Sequence, residues 1–272
     1  MLFRSDSLLS SAFYDQDSNE SPLESRLRIG RMDRVNEYLI EITGAYDDFV
    51  VDELQEYHPD VSQLKSGLKY YWQVAFDHTG GQTDWSSRDP FIVGKIETIR
   101  NQPAIPVGDS QESFQMISFT HFPEDPKGTS VLQKSIGQAY DTTNFRIGTY
   151  DPTYESGAYR EYDNDSFIIE PGRAYWFLSR KIDLDISGIP VSTSTDIDIQ
   201  LHFNSSPENG WNMIACPNDA DYHWEDLLVL RYENDNLVTG PIPISNAQLI
   251  ETTIWEWQNG EYIQNSGSEF IL

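Results

Sequence analysis

Short apolar runs separated by turn residues are the feature that most restricts how this chain of 272 residues can fold. Gly, Pro, Asn and Asp interrupt the runs at close intervals, a spacing typical of strands joined by turns. Helical signals are confined to two stretches, around Leu132 and around Leu228. The pattern predicts an all-β protein of the sandwich or barrel class with one or two short helices. The runs rich in β-branched and aromatic residues are "YLIEIT", "YYWQVAF", "FQMISF", "SFIIE", "AYWFLS", "IDIQLHF" and "WNMIA".

A polar stretch without periodicity divides the chain. Residues 96–111 contain Pro103, Pro106 and Gly108, a composition typical of interdomain linkers. The sequence therefore predicts a first domain over residues 1–95 and a second over residues 112–272. Each is long enough to bury a core of its own.

The first predicted domain contains a distinctive turn and strand. Leu64 and Tyr70 lie six positions apart around Gly67, and a strand with period-two alternation follows them. The spacing fits a tyrosine corner, and on this basis residues 1–95 resemble a fibronectin type III module, in the form common in bacterial secreted proteins. The resemblance implies an immunoglobulin-like sandwich. Leu27 departs from the pattern, because such modules often carry Trp at this position.

The second predicted domain contains segments that resemble each other. "FQMISF" at residues 114–119 matches "WNMIAC" at residues 211–216, and "NDSFII" matches the terminal "GSEFIL". We therefore expect a doubled β unit, with one copy over residues 112–205 and a second over residues 206–272. Copy one continues through a Pro-Gly turn into a returning strand, whereas copy two ends before the equivalent, so we expect the chain to be a fragment. The alternative is that copy two has lost its final strand.

Two elements of this repeat resemble a known family. "GWNMI" at Gly210–Ile214 matches the opening strand, and "PGRAYW" at Pro171–Trp176 matches the closing strand, of a repeat found in bacterial cell-surface and secreted multidomain proteins. The resemblance implies a non-catalytic module that is extracellular or at the cell surface. Its expected partners are other surface or secreted proteins.

The acidic charge restricts the partners. Asp and Glu number 44 against 18 Lys and Arg, which makes the net charge −26. Such a surface repels nucleic-acid phosphate and anionic lipid, so neither is an expected partner, whereas glycans and divalent cations are compatible with it. No run reaches the length of a membrane-spanning helix, and no membrane insertion is expected. The first residues lack the apolar segment of a signal peptide, so we expect any export signal to lie upstream.

Recognisable catalytic motifs are absent from the sequence. It has no HExxH, GxSxG, P-loop or GxGxxG pattern, and its five His residues are scattered. Cys216 lies in an apolar run and is predicted to be an inert buried thiol. We therefore predict a non-catalytic module for adhesion, assembly or spacing. A glycoside hydrolase or its accessory domain is the less favoured alternative. In a chain this rich in carboxylates, pairs at the spacing of a glycosidase occur by chance, so such a pair is no evidence for catalysis.

Aromatic residues are the better lead to a binding site, because glycans stack on exposed aromatic faces. Four tyrosines lie in one predicted hairpin, and a second aromatic set occupies the corresponding place in copy two. We predict a carbohydrate-binding site here, as an alternative to a purely structural role. Trp72, Trp176 and Trp211 lie on apolar strands and are predicted to pack in the core. The candidate ligand-binding residues are Tyr150, Tyr154, Tyr159, Tyr162, Trp255, Trp257 and Tyr262.

An acidic loop near the start of the chain is a candidate calcium site. Asp15, Asp17 and Asn19 alternate along it, as oxygen ligands do in calcium loops. The loop lacks the Gly and the distal Glu of an EF-hand, so an ordinary acidic turn is the favoured interpretation and a calcium site is the alternative. Apart from this candidate structural calcium, the sequence predicts no cofactor.

Overall fold

The chain divides after Gly94 into two units, Met1–Gly94 (unit 1) and Lys95–Leu272 (unit 2). The structure is a computed structural model. The residues it describes are 8–10, 22–34, 38–45, 50–51, 54–57, 61–78, 80–99, 108, 110, 113–133, 142–143, 145–154, 158–162, 167–179, 186–203, 210–233, 236–248, 250, 253–258 and 260–265.

Antiparallel strands make up nearly all the regular structure of the described residues. Helical geometry among them is limited to a five-residue π turn at Thr129–Gln133 and to isolated three-residue 3-10 turns, such as Trp224–Asp226. The all-β prediction, including its sandwich character, is therefore confirmed. Of the helix predicted around Leu228, one 3-10 turn is present at Trp224–Asp226, and Leu228 itself begins a strand. Around Leu132 the predicted helix is reduced to the π turn, as far as the described residues extend.

The described residues of unit 1 form two antiparallel sheets. The larger has five strands in the order β3-β2-β6-β7, with β8 also paired to β6, and the smaller has the order β1-β5-β4. Leu27 and Ile29 of β2, Tyr70 of β6 and Phe91 of β8 are buried in its core. The strands are β1 (Leu8–Ser10), β2 (Pro22–Arg31), β3 (Tyr38–Ala45), β4 (Val50–Val51), β5 (Leu54–Tyr57), β6 (Leu68–His78), β7 (Gly81–Gln82) and β8 (Asp89–Val93).

The turn before β6 has the hydrogen bonding of a tyrosine corner. The Tyr70 hydroxyl accepts a hydrogen bond from the Lys65 N–H at 2.8 Å and donates one to the Lys65 carbonyl at 3.3 Å. Gly67 lies at the turn with φ +78°, a conformation that favours glycine. Leu64 is buried as well. Membership of the fibronectin type III family stays a prediction from the sequence.

In the part of unit 2 that the structure describes there are two sheets and two separate hairpins. The sheets have the orders β10-β14-β12-β13 and β11-β15-β9, and the hairpins are β16–β17 and β18–β19. The strands are β9 (Glu97–Ile99), β10 (Gln115–Ser118), β11 (His121–Pro123), β12 (Phe145–Asp151), β13 (Ala158–Glu161), β14 (Ala174–Ser179), β15 (Ile186–Pro190), β16 (Leu228–Glu233), β17 (Asn236–Pro243), β18 (Ile254–Gln258) and β19 (Glu261–Asn265).

The stretch predicted to be a linker, residues 96–111, is not free of regular structure. Glu97–Ile99 forms β9, which pairs with β15 in the three-stranded sheet of unit 2. The local sequence hides this strand because it is short and its pairing partner lies far along the chain.

The core of unit 2 draws residues from both of its sheets. Ile147 and Phe177 of the four-stranded sheet and Ile186 of the three-stranded sheet belong to one buried cluster. Leu132 from the π turn joins them. Shared burial of this kind is how a two-sheet fold removes its apolar faces from water.

A second tyrosine corner, which sequence reasoning did not identify, lies in unit 2. The Tyr175 hydroxyl accepts a hydrogen bond from the Glu170 N–H at 2.9 Å and donates one to the Ile168 carbonyl at 3.2 Å. Gly172 at the turn has φ +83°. The tyrosine thus follows its N–H donor by five positions and a left-handed glycine by three, the same spacing as in the corner of unit 1.

The strand predicted over "WNMIA" is wrong. This segment makes only an isolated bridge to the start of β14, with hydrogen bonds from Ala174 N–H to Met213 O and from Ala215 N–H to Gly172 O. Trp211, predicted to be buried, is 45% exposed. Similarly, "IDIQLHF" and "SFIIE" form no extended strand among the described residues, the latter making one bridge at Ile168.

The doubling of the second domain stays a prediction. "FQMISF" contributes β10 to a sheet, whereas "WNMIAC" is irregular. The segments predicted to correspond further on do form hairpins in both copies, β12–β13 and β18–β19. The terminal "GSEFIL" and the calcium candidates Asp15, Asp17 and Asn19 lie outside the described residues.

Candidate functional site

The four-stranded sheet of unit 2 has one face in the core and one face directed away from it. Along β12, Phe145 and Ile147 are buried while Arg146 between them is exposed. Along β14, Tyr175 and Phe177 are buried and Trp176 is only half-buried. Successive side chains of a strand point to opposite faces, so Arg146 and Trp176 belong to the outer face.

The β18–β19 hairpin packs against this outer face through aromatic rings. Trp257 and Tyr262 are directly opposite each other in the hairpin. The Trp257 ring meets Trp176 edge to face, with centroids 4.8 Å apart and planes at 84°, and Tyr262 meets Trp176 at 6.0 Å and 87°. Trp257 also donates a hydrogen bond from Nε1 to the Phe114 carbonyl at 3.1 Å. Edge-to-face contacts and the indole bond fix the hairpin at this position.

A pocket of about 720 Å³ lies between the hairpin and the sheet. Its floor includes Gly148, which pairs with Trp176 across the sheet. A Cβ at Gly148 would lie 2.9 Å from the Arg160 carbonyl oxygen, so this position requires glycine. The aromatic residues of the lining are Phe114, Tyr159, Trp176, Trp257 and Tyr262.

An ion pair borders the pocket. Arg146 donates from Nε and Nη2 to the two carboxylate oxygens of Glu161, both at 2.7 Å. Glu161 pairs with Gly148 in the ladder, so it lies diagonally across from Arg146, within reach of long side chains. The two side chains are 44% and 39% exposed, and a pair this exposed contributes only about 0–1 kcal/mol to stability. Its main effect is to hold both groups in a fixed orientation at the pocket.

Two tyrosine hydroxyls join the wall of the pocket to the sheet. The Tyr159 and Tyr262 oxygens are 2.9 Å apart, a hydrogen bond in which either can donate. Burial, followed by the hydrogen bond with Tyr159, raises the pKa of Tyr262 above its ordinary value. Tyr262 is therefore a neutral phenol at physiological pH, able both to donate and to accept.

The predicted ligand-binding residues fall into two groups. Tyr159, Trp257 and Tyr262 line the pocket together. Tyr150 is next to it, with its ring perpendicular to that of Tyr159 at 5.3 Å. The prediction that Tyr162 binds a ligand is wrong, because this residue is buried in the core cluster and presents no surface to a ligand.

The two remaining candidates are exposed but lie outside the lining of the pocket. Tyr154 follows β12 and has the Arg160 guanidinium 5.0 Å from its ring centre. Trp255 precedes Trp257 by two positions in β18 and therefore shares its face of the hairpin. Trp255 thus extends the aromatic surface of the hairpin beyond the pocket.

Sequence reasoning missed part of the site. Trp176 was expected in the core, yet it forms the floor of the pocket. Alternation in "AYWFLS" separates Trp176 from Tyr175 and Phe177, and this signal could have shown that it faces the other way. Arg146 and Glu161 carry no such signal, because their meeting depends on the register of β12 and β13.

Other candidate centres are less suited to chemistry. Cys216 lies in an irregular segment rather than in the predicted strand and is half-buried. Its thiol contacts the carbonyls of Asn218 at 2.9 Å and Ala220 at 2.8 Å. Burial raises the pKa of the Cys216 thiol, which keeps it in the unreactive protonated form. Among the described residues, no three His, Cys, Asp or Glu side chains gather as a metal site. No helix in the described part of the chain is long and apolar enough to cross a bilayer.

Comparisons with known proteins give no relative to guide the assignment. No protein-family model, curated protein or solved structure matches the chain. The functional interpretation therefore depends on the pocket and on the residues that line it.

Proposed function

We propose that this chain is a non-catalytic binding module of an extracellular or cell-surface protein, and that it binds a neutral glycan in the aromatic pocket of unit 2. The observation that carries the proposal is the combination of Trp176, Trp257 and Tyr262 with the Arg146–Glu161 pair around one cavity. Adhesion to a glycan-coated surface is the role that such a module would serve in a larger protein.

The lining matches the two kinds of surface that a sugar presents. A sugar ring has an apolar C–H face and a rim of hydroxyls. Aromatic rings offer flat apolar area for the face, and a few fixed polar groups orient the rim. The volume of about 720 Å³ lies within the range of roughly 300–1,000 Å³ that small-molecule sites occupy.

Charge supports a neutral ligand. The charged residues among the described lining are two arginines, Arg146 and Arg160, and two glutamates, Glu161 and Glu261. They balance one another, while the protein as a whole carries −26. A phosphorylated or otherwise anionic ligand would be repelled over long range and would gain no compensating net charge at the site.

The arrangement also supports a binding role over hydrolysis. Both carboxylate oxygens of Glu161 accept hydrogen bonds from Arg146, so this group is held as a hydrogen-bond acceptor beside a cation. A glycosidase needs a protonated carboxyl as its general acid, usually in an apolar environment. Glu161 is therefore suited to accepting hydrogen bonds from hydroxyl groups.

Retention on polysaccharides tests the proposal. The full chain is passed over insoluble or immobilised xylan, mannan, β-glucan and starch, and we expect retention on at least one. Trp257→Ala should weaken that binding by about 30-fold or more, as expected for loss of a central aromatic contact worth about 2 kcal/mol. Trp211→Ala is the matched control, because Trp211 is exposed and is not among the lining residues.

Two outcomes would contradict the proposal. Lack of retention of the wild type on all four polysaccharides would remove the glycan role. Release of reducing sugar from any of them, abolished by Glu161→Gln, would make the module an enzyme and would remove the non-catalytic part.

A further inference from the structure

The Arg146–Glu161 pair offers a donor and an acceptor side by side at the edge of the pocket. Its two hydrogen bonds are each 2.7 Å long and join Nε and Nη2 to separate carboxylate oxygens, which is a bidentate arrangement. Both side chains line the pocket and are 44% and 39% exposed, so a ligand can reach them. Because the strands fix both Cα positions, the orientation of the pair is set before a ligand arrives.

This arrangement complements two adjacent hydroxyl groups. A hydroxyl both donates and accepts, whereas a guanidinium only donates and a carboxylate only accepts. One hydroxyl can therefore donate to Glu161 while its neighbour accepts from Arg146. A sugar in which either position is substituted loses one of these bonds and leaves a charged group poorly satisfied, which is costly in a partly desolvated site.

The position of the pair relative to Trp176 fixes how such a sugar would lie. Arg146 precedes Gly148 by two positions in β12 and therefore points to the same face, and Gly148 is directly opposite Trp176. Gly148 itself contributes no side chain, which leaves the floor open between the indole and the pair. A sugar ring packed against the aromatic side thus directs its hydroxyl edge at Arg146 and Glu161.

Ionic sugars are disfavoured by the same pair. A uronic acid can pair with Arg146 only by competing with Glu161, and it adds a carboxylate beside Glu161 and Glu261. An amino sugar can pair with Glu161 only by placing its ammonium next to the guanidinium. In each case the charge of the sugar gains one opposite charge but is placed beside a like charge. Protein interfaces use such like-charge contacts to exclude wrong partners.

We propose that the Arg146–Glu161 pair selects sugars with two adjacent unsubstituted hydroxyls and excludes uronic and amino sugars from the pocket. The inference rests on the proposed function, because it requires that the pocket bind a glycan. It adds the hydroxyl pattern of the ligand and names the two residues that recognise it.

The test measures affinities of the full chain by calorimetry or affinity electrophoresis. The probes are the neutral polysaccharide that binds best, the same polysaccharide after O-methylation, polygalacturonate and chitosan. For the wild type we expect at least about tenfold weaker binding after O-methylation, the loss that one or two charge-assisted hydrogen bonds would cause. We expect no measurable binding to either charged polymer. This arm needs no mutation, so it is independent of any folding defect.

Variants then assign the effect to the pair. Glu161→Gln should weaken neutral binding by about tenfold and, by leaving Arg146 without its carboxylate, should permit binding to polygalacturonate. Arg231→Gln is the matched control, because Arg231 and Glu233 form an ion pair of similar exposure on β16. This variant should change neither the affinity for the neutral polysaccharide nor the exclusion of polygalacturonate.

The outcomes separate this inference from the proposed function. If the wild type binds a neutral glycan and Trp257→Ala loses it, the proposed function stands. Selection by the pair is wrong if O-methylation changes the affinity of the wild type by less than about twofold. It is also wrong if Glu161→Gln changes the affinity for the neutral polysaccharide by less than about twofold and the variant still excludes polygalacturonate. If the wild type binds none of the neutral polysaccharides, the proposed function fails and this inference fails with it.

Discussion

Replacing Tyr175 by Phe isolates the contribution of one hydroxyl group to the stability of unit 2. The ring is 1% exposed and packs against Phe119 at 5.5 Å and Phe167 at 5.8 Å. Phenylalanine retains these contacts and removes only the oxygen. The change therefore deletes the hydrogen bonds to the Glu170 N–H and the Ile168 carbonyl and leaves the apolar packing in place.

The magnitude follows from those two hydrogen bonds. Each contributes about 0.5–1.5 kcal/mol net, which bounds the total at about 1–3 kcal/mol. Ile168 and Glu170 are themselves exposed, so water can partly replace the lost partner, and we expect about 1–2 kcal/mol. Tyr70→Phe removes the equivalent bonds to Lys65 in unit 1, and its cost should be similar.

Urea unfolding followed by tryptophan fluorescence measures both changes. The free energy should fall for each corner variant, with little change in the dependence on urea. Tyr159→Phe is the control, because it also removes a hydrogen-bonded hydroxyl but from a residue that is 56% exposed, and its effect should stay within about 0.5 kcal/mol. If Tyr175→Phe costs no more than Tyr159→Phe, the argument that the buried corner stabilises unit 2 is refuted.

Two further changes test other parts of the fold. Burial raises the pKa values of Tyr70, Tyr71 and Tyr175. Above about pH 10 the unfolded chain therefore releases protons that the folded chain retains. The free energy of unfolding should fall as the pH rises, by up to about 1.4 kcal/mol per pH unit for each tyrosine. Urea titrations between about pH 8 and pH 11 check this, and a flat profile would contradict it. Gly172→Ala should cost about 1–2 kcal/mol for its left-handed φ of +83°, with an added contact because the new Cβ would lie 2.9 Å from Ile199 Cγ1. Gly67→Ala, at the matching turn of unit 1, should lower the free energy of unfolding through the cost of its left-handed φ. Unfolding free energies within error of the wild type for both variants would contradict the argument.

Features that depend on neighbouring residues could be predicted from the sequence. Runs of β-branched and aromatic residues bounded by turn residues favour strands in most surroundings, and "YYWQVAF" and "AYWFLS" accordingly lie in β6 and β14. The corner at Tyr70 is also local, since the hydroxyl reaches a backbone group only five positions upstream. The same reasoning, applied to Tyr175, would have found the second corner.

Predictions failed where the outcome depends on a partner strand. "WNMIA" has the composition of a strand, but its backbone meets only the first residues of β14. Leu228 lies in a stretch with helical signals, but there it joins β17 in a hairpin. Whether a segment forms a ladder depends on what lies beside it, and composition does not carry that information.

The sequence by itself determined the all-β class, the period-two faces of the strands and the aromatic residues available for a site. Only the tertiary structure decided that Trp176 and Tyr159 meet Trp257 and Tyr262 around one pocket, and that Arg146 finds Glu161. These residues come from five strands, and the registers that align them depend on packing of the whole unit. Alternation says which side chains share a face, but the burial of one face and the covering of the other are settled by contacts distant in sequence.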